Sequence, residues 1–157
     1  PPVLIADPVS GHVAACHAGW RGVAGRILPE ALARLAARGS DPADLLVALG
    51  PAVSGANYPV ERWVSQAVAD SLQADSRTPA AALEDLIDCG AVQVDAEQDR
   101  DLLDIRKAIQ RQLDHAGVAP HHCISCPLCT VAEPTLFHSW RRDRRKAVQW
   151  SGIVSQA

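Results

Sequence analysis

The sequence predicts an α/β fold, because short apolar segments of strand length alternate with longer segments of helical periodicity. Residues 3–6 form a short apolar run, and Leu28, Leu32 and Leu35 follow with the spacing of one helix face. The chain has 157 residues, 48% of them hydrophobic, which is enough for one domain with a substantial core. We therefore predict a single α/β domain over residues 1–157.

The first third of the chain predicts a hairpin followed by a helix. Residues 3–6 and 12–16 are two short strands around the turn-forming residues 7–11. In the helix that follows, the leucine stripe lies opposite charged residues. Pro29 places the helix start, or a kink, near that position, and Gly39 ends the helix.

The remaining elements alternate in the same way. Residues 45–49 predict a buried strand, and valines and a leucine at four-residue spacing predict a second helix: Val60, Val64, Val68 and Leu72. Residues 74–82 are expected to be a loop, and 83–103 are ambiguous except for a strand at 91–94. Asp104 is a good N-cap for a third helix, which continues to Ala116 and ends at Gly117. Two further strands are expected at 122–125 and 147–154.

Composition excludes several classes of protein. The formal net charge is −3, which does not favour binding to nucleic acid or to an anionic membrane. No apolar run approaches the roughly eighteen residues of a membrane span. No secretion signal is visible, and five cysteines, an odd number, are typical of reduced thiols. We expect a cytoplasmic protein without membrane or nucleic-acid partners, and the sequence leaves a homo-oligomer open.

The segment His17-Ala18-Gly19-Trp20-Arg21-Gly22 is the strongest functional signal. It places a histidine at the end of an apolar strand, where an imidazole can bind a metal or carry a proton. Its glycines allow backbone shapes and close approaches that a side chain would block. The alternative is a strand-to-helix turn in which His17 is simply hydrogen-bonded and Trp20 packs under Arg21.

Two other clusters can carry chemistry. Cys123, Cys126 and Cys129 have the spacing of a partial zinc or iron–sulfur ligand set, with a fourth ligand to come from His121, His122, Cys89 or His138. Their alternative role is that of small buried thiols. Residues 137–146 contain five cations within six positions, which can clamp a phosphate or carboxylate. The alternative for this run is a solvated loop or a folded ion-pair network.

Together these motifs resemble the YfiH-like family, formerly described as polyphenol oxidase or laccase-domain proteins. The resemblance rests on residues 3–7, the His17–Gly22 segment, Leu49-Gly50-Pro51, Cys129-Thr130 and residues 137–143, which come in the family's order. The closing residues 148–153 look most like cyanobacterial members. Two residues depart from the pattern: His138 stands where a second phenylalanine is usual, and Trp140 where tyrosine is usual.

The resemblance implies a layered α/β sandwich with mixed β-sheets, of the kind shared with a toxin deamidase domain. It implies a zinc site of two histidines and one cysteine, in a pocket that takes purine nucleosides. It also implies a purine nucleoside phosphorylase that cleaves methylthioadenosine and deaminates adenosine, with a purine nucleoside and phosphate as small-molecule partners. His17 matches the second ligand histidine and is the candidate catalytic and metal-binding residue. Arg21 is the candidate substrate-binding residue. The phosphate is expected to be held by Arg21, or by Arg141 and Arg142, a role that is not carried over from the family.

The family's ligand cysteine lies about seventeen residues before that histidine. Counting back from His17 places the cysteine immediately before Pro1, and the first ligand histidine further upstream. We therefore expect the N-terminal part of the family fold to be missing and the 157-residue chain to be inactive alone. Cys16 neighbours His17 on a strand, so its side chain is expected on the opposite face, where it cannot replace the missing cysteine.

Two alternatives of different class remain at this point. One is a peptidoglycan-editing amidase of the same family, in which the missing cysteine is a nucleophile or ligand. The other is a truncated, non-catalytic binding domain, which predicts no zinc uptake. Multicopper oxidation is disfavoured, because it needs around ten histidines, several in His-X-His pairs. This chain has six, and none is arranged in that way.

Overall fold

The computed structural model describes residues 1–72, 78–95 and 99–155. In these ranges the strands are β1 (Pro2–Ala6), β2 (Val13–His17), β3 (Leu46–Leu49), β4 (Pro59–Glu61), β5 (Val92–Asp95), β6 (Arg100–Leu103) and β7 (Cys123–Ser125). The helices are α1 (Trp20–Ala24), α2 (Ile27–Ala36), α3 (Arg62–Asp70), α4 (Pro79–Asp88), α5 (Ile105–His115) and α6 (Trp140–Asp143). Strands and helices alternate, as expected for an α/β fold.

The larger sheet has four strands in the order β2-β1-β3-β7. β1 is antiparallel to both of its neighbours, and β7 runs parallel to β3, so the sheet is mixed. Side chains alternate between the two faces along each strand, and one of these faces is buried. Val3 lies beside Cys16 and Leu49, and Ile5 lies beside Ala14 and Val47. These residues face the core formed with helices α2 and α5.

The opposite face of this sheet, here called the outer face, is apolar but partly open to solvent. Its members are the residues paired in the alternate register: Pro2, Leu4, Ala6, Val13, Ala15, His17, Leu46, Ala48 and Ile124. Leu46 is 45% exposed and Ile124 is 69% exposed. Among the strand residues of this face, His17 is the one titratable side chain, and it lies at the end of β2.

A smaller antiparallel sheet, in the order β4-β6-β5, lies beside helices α3 and α4. Gln112 of α5 connects this part of the fold to the first. Its buried Nε2 donates to the carbonyl oxygen of Val23 at 3.2 Å and to Oγ of Ser71 at 2.9 Å. Because a buried amide must be hydrogen-bonded to be tolerated, these bonds fix the position of α5 against α1 and the end of α3.

Most predicted elements are confirmed. The hairpin, the first helix and the strands at 45–49, 91–94 and 122–125 occur within one or two residues of the expected bounds. The helix α2 starts at Ile27, so Pro29 lies in its first turn, where a missing N–H costs nothing. Asp104 caps α5 as predicted, because its Oδ1 accepts from the backbone N–H of Arg106 at 3.1 Å. The chain turns with positive φ at Gly39 and Gly117.

Three predictions were wrong. Val60 belongs to strand β4, and α3 begins only at Arg62. The expected loop 74–82 contains the start of α4, where Thr78 Oγ1 accepts from the backbone N–H of Ala81 and Pro79 occupies the first position. The part of that loop at 74–77 lies outside the described residues.

The third wrong prediction is the strand at 147–154. This segment has no regular secondary structure. Its apolar residues alternate as in a strand, but Val148 and Trp150 are exposed, and no described strand pairs with them. Strand β6 was missed within the ambiguous region 83–103. None of the helices in the described ranges has both the length and the apolar character needed to cross a membrane.

Candidate functional site

A cleft of about 800 Å³ opens where β2 ends, between the β2–α1 turn and the C-terminal segment. The side chains that give it chemical character are His17, Trp20, Arg21, Tyr58, Thr130, Trp140, Arg141 and Gln149. The cleft therefore combines one imidazole, two guanidinium groups and several aromatic rings. Such a mixture of apolar walls and few polar groups is typical of a small-molecule site.

The position of His17 follows from the register of the hairpin. His17 pairs with Pro2, and its side chain lies on the outer face of the sheet. Cys16 pairs with Val3 and packs against the core, so the expectation that these neighbours point to opposite faces is confirmed. Burial raises the pKa of the Cys16 thiol. Cys16 therefore cannot take part in a site with His17.

The imidazole of His17 is open on one side. A Cβ at Gly19 would lie 3.3 Å from Nε2 of His17, so glycine leaves this nitrogen accessible. The ring has no hydrogen-bond partner among the described residues, which contradicts the alternative in which His17 is simply hydrogen-bonded. Burial lowers the pKa of His17. This shift favours the neutral form of the ring, the form that binds metals.

The packing of Trp20 under Arg21, which the same alternative predicted, is confirmed. The guanidinium carbon of Arg21 lies 4.4 Å from the centre of the Trp20 ring. The Trp20 ring in turn meets Trp63 edge to face, with 5.2 Å between ring centres. These contacts fix the two tryptophan rings at the start of α1, and they hold Arg21 at the cleft.

A second arginine reaches the cleft from α6. The guanidinium carbon of Arg141 lies 4.6 Å from the centre of the Tyr58 ring. Burial raises the pKa of Tyr58, while the charges of Arg141 and Arg21 act in the opposite direction. Arg141 therefore contacts Tyr58, and Arg21, from a distant part of the sequence, lines the same cleft.

Two adjacent arginines of the basic run 137–146, Arg141 and Arg142, have different roles. Arg142 forms a bidentate pair with Asp143, with distances of 2.7 and 2.6 Å. It also donates to the carbonyl oxygens of Thr130, Val131 and Phe137. Arg142 thus ties its loop to the segment after Cys129, which confirms the ion-pair alternative for this residue, and Arg141 alone of the pair lines the cleft.

His138 lies outside the lining of the cleft, whereas Trp140 contributes to it. The backbone N–H of His138 donates to Oε1 of Gln149. This bond holds the C-terminal segment over the cleft. Of the two departures from the family pattern, only Trp140 therefore changes the cleft wall.

The cysteine cluster does not gather into a metal site. Within the described ranges, no three side chains of His, Cys, Asp or Glu are placed to hold a metal ion. Cys129 is buried and accepts hydrogen bonds from the backbone N–H and the hydroxyl of Ser54, both at 3.3 Å. Burial raises its pKa, but these bonds and backbone donors at Val131 and Ala132 outweigh it, giving a pKa of about 7. The alternative role of these cysteines as small, mostly buried thiols agrees with this arrangement.

The zinc site expected from the resemblance can be tested against the residues present. A catalytic zinc needs three protein ligands and one open position. Among the described residues lining the cleft, His17 is the one side chain of an imidazole, thiolate or carboxylate type. These residues alone do not fit a zinc ion, although the open Nε2 fits the role of one ligand.

Sequence reasoning found His17 and Arg21 and offered Arg141, together with Arg142, as an alternative holder of phosphate, but it missed Tyr58. Tyr58 is the single tyrosine of the chain and follows the Gly50-Pro51 turn by a few residues. Its being the single tyrosine was the only feature of the sequence that pointed to Tyr58. It is the tertiary contact with Arg141 that makes Tyr58 part of the site.

Comparison with known proteins identifies the family. The sequence model described as "Multi-copper polyphenol oxidoreductase laccase" matches residues 1–155. The chain belongs to this family. The description names a copper chemistry, whereas the curated members that resemble this chain are named for a different reaction.

Two curated relatives are named purine nucleoside phosphorylase. The protein from Synechocystis is 43% identical over 160 residues, covering 98% of this chain and 60% of the relative. The YlmD protein of Bacillus subtilis is 34% identical over 154 residues, covering 98% of this chain and 50% of the relative. The resemblance to the YfiH-like family and to a cyanobacterial member is thus confirmed.

Solved structures show the same fold. YlmD from Geobacillus stearothermophilus superposes with a TM-score of 0.76 at 31% identity, covering 91% of this chain and 48% of that chain. The YfiH protein of Bacillus licheniformis gives a TM-score of 0.74 at 29% identity, covering 91% of this chain and 49% of that chain. The predicted α/β fold class with mixed sheets is confirmed, and the chain spans about half to three fifths of these relatives.

Proposed function

We propose that this chain carries part of the active site of a purine nucleoside phosphorylase. The observation that supports the proposal is the cleft at the end of β2, where the open imidazole of His17 and the guanidinium of Arg21 line one space. The names of the curated relatives support this reaction class. Within the proposal, a purine nucleoside and phosphate are the small-molecule partners.

His17 is proposed as one of three zinc ligands, with a cysteine and a second histidine coming from a segment that precedes Pro1. Its accessible Nε2, and its burial, which lowers its pKa and so favours the neutral imidazole, support this role. The described residues hold one such donor, so we assign the metal no step in the reaction. Arg21 is proposed to bind substrate, because it is held at the cleft by Trp20 and has no carboxylate partner among the described residues.

The test compares the chain joined to the sequence that precedes Pro1 in its gene with the 157-residue chain alone. We expect zinc uptake and phosphate-dependent release of hypoxanthine from inosine only in the longer protein. His17→Ala is expected to remove both, and His121→Ala, an exposed histidine outside the cleft, to leave both intact. Unchanged zinc content and phosphorolysis in His17→Ala would disprove the proposed role of His17.

The same longer protein separates the finer activities. Adenosine and methylthioadenosine test the deaminase and methylthioadenosine phosphorylase activities, and a muropeptide precursor tests the amidase alternative. Each substrate is assayed with and without phosphate, because only the phosphorolytic reactions require it. Release of amide products without any nucleoside cleavage would favour the amidase over the phosphorylase.

A further inference from the structure

Arg141 contacts Tyr58, the single tyrosine of the chain, and Arg21 lines the same cleft. Arg141 lies over the Tyr58 ring, and its Nη1 lies 3.5 Å from the carbonyl oxygen of Pro59. Arg21 lies over Trp20, close enough to Tyr58 for its charge to affect the ionisation of the phenol. All three side chains line the same space. The cleft therefore contains two cations and a hydroxyl within one small region.

Neither cation has a carboxylate partner among the residues that the structure describes. Several other arginines do, such as Arg111 with Asp85 at 2.7 Å. Within the part of the chain that the structure describes, Arg21 and Arg141 have no carboxylate oxygen within 4.0 Å. Two cations that line one cleft without carboxylate partners raise its positive potential, which favours the binding of an anion there.

Packing alone does not account for this arrangement. A cation–π contact at an exposed site is a weak interaction. A hydrogen bond between an arginine and an anion is stronger and can be bidentate. The aromatic rings therefore hold the guanidinium groups in place but leave most of their N–H donors for a ligand.

We propose that Arg21, Arg141 and the Tyr58 hydroxyl form the subsite for inorganic phosphate. This inference rests on the proposed function and deepens it by assigning the co-substrate to particular residues. In phosphorolysis a phosphate oxygen forms a bond to C1′ of the ribose as the N-glycosidic bond breaks. The electron pair of that bond leaves with the purine, which takes up a proton. Two guanidinium groups hold the phosphate and reduce its repulsion from the departing base.

The test uses Tyr58 as an internal reporter in the 157-residue chain. Because the chain has one tyrosine, the near-ultraviolet absorbance of tyrosinate reports this residue alone. Inorganic phosphate is expected to raise the pKa of Tyr58, since the anion offsets the two positive charges. Sodium chloride at the same ionic strength is the reference. An equal shift with phosphate and chloride would overturn the subsite.

Calorimetric titration with inorganic phosphate measures the contribution of each group. Arg141→Gln and Arg21→Gln are each expected to weaken phosphate binding at least tenfold, and Tyr58→Phe by a smaller factor. Arg145→Gln carries the same charge change at an exposed position outside the cleft and is expected to bind like the wild type. If Arg141→Gln and Arg145→Gln weaken binding equally, the proposal is wrong.

Failure of this inference is distinguishable from failure of the proposed function. Phosphate binding that depends on Arg141, in a longer protein that does not cleave nucleosides, supports the subsite and contradicts the phosphorylase. Phosphorolysis whose KM for phosphate is unaffected by Arg141→Gln and Arg21→Gln supports the phosphorylase and contradicts the subsite.

Discussion

At the scale of single residues, Cys129 shows how hydrogen bonds reverse the effect of burial. Its thiol is 8% exposed, which by itself disfavours the thiolate. Two donors of Ser54 at 3.3 Å and Nδ2 of Asn57 at 3.6 Å surround the sulfur. The result is a pKa of about 7 for a buried cysteine. The adjoining Thr130 lines the cleft, so this cluster supports one of its walls.

This pKa predicts a pH dependence of stability. The folded value of about 7 lies below the ordinary value of a free thiol, so the thiolate stabilises the fold above the unfolded pKa. That contribution is lost as the pH falls through about 7. Relative to Cys129→Ala, the free energy of unfolding of the wild type is expected to rise by on the order of 1–2 kcal/mol from pH 6.5 to pH 9. Urea unfolding across this range measures it.

Two variants control this measurement. Ser54→Ala removes the hydroxyl donor but keeps the backbone donor, so it should reduce the pH-dependent rise without abolishing it. Cys16→Ala removes a thiol whose pKa is raised by burial, so it should leave the rise in place. A wild-type chain whose stability relative to Cys129→Ala is constant from pH 6.5 to 9 would contradict the lowered pKa.

At the scale of elements, the turn between β2 and α1 positions the site. The chain reverses tightly after His17, and a Cβ at Gly22 would lie 2.9 Å from the carbonyl oxygen of His17. This contact is with backbone, which cannot move without displacing the end of β2. Glycine at this position is therefore required by close approach and not by an unusual φ.

Gly22→Ala is expected to destabilise the fold by about 1–3 kcal/mol, because the turn must open to accommodate the methyl group. Gly152→Ala is the matched control, since a Cβ there meets nothing within 4 Å. Thermal or urea unfolding measures both variants. In the longer protein, Gly22→Ala is also expected to impair zinc uptake, because it shifts His17. Equal stability of the two variants would show that the turn tolerates a side chain.

At the scale of the whole molecule, the two faces of the larger sheet differ in their contribution to stability. The inner face packs against α2 and belongs to the main core, to which α5 also contributes. The outer face is equally apolar but retains exposed residues, and it carries His17 at one end. Strand β3 contributes a leucine to each face: Leu49 on the inner face is 2% exposed, and Leu46 on the outer face is 45% exposed.

These two leucines give a matched pair of substitutions. Leu49→Ala is expected to cost about 2–5 kcal/mol, since it leaves a cavity in the core. Leu46→Ala is expected to cost about 1 kcal/mol or less in the 157-residue chain, because much of its side chain already contacts water. Urea unfolding of both variants at one pH measures the difference. Similar costs would mean that the outer face of this chain is also packed.

The sequence alone was sufficient for elements whose signals are local. The hairpin, α2 and α5 were predicted because periodicity, turn residues and the Asp104 cap are properties of neighbouring residues. The His17–Gly22 segment likewise identified the family and the cleft wall. The prediction of a strand at 147–154 was wrong because alternating apolar residues form a strand only when another strand is available to pair with them.

Tertiary structure decided which residues share the cleft and what each of them does. Arg141 and Arg142 are adjacent and chemically identical, yet one faces Tyr58 and the other holds the loop of Thr130 through three backbone carbonyls. Likewise, the lowered pKa of Cys129 depends on Ser54, which lies 75 residues away in the chain. Such roles arise from charge and hydrogen bonding between distant segments, whereas sequence patterns report only local periodicity, so they became visible only once the chain was folded.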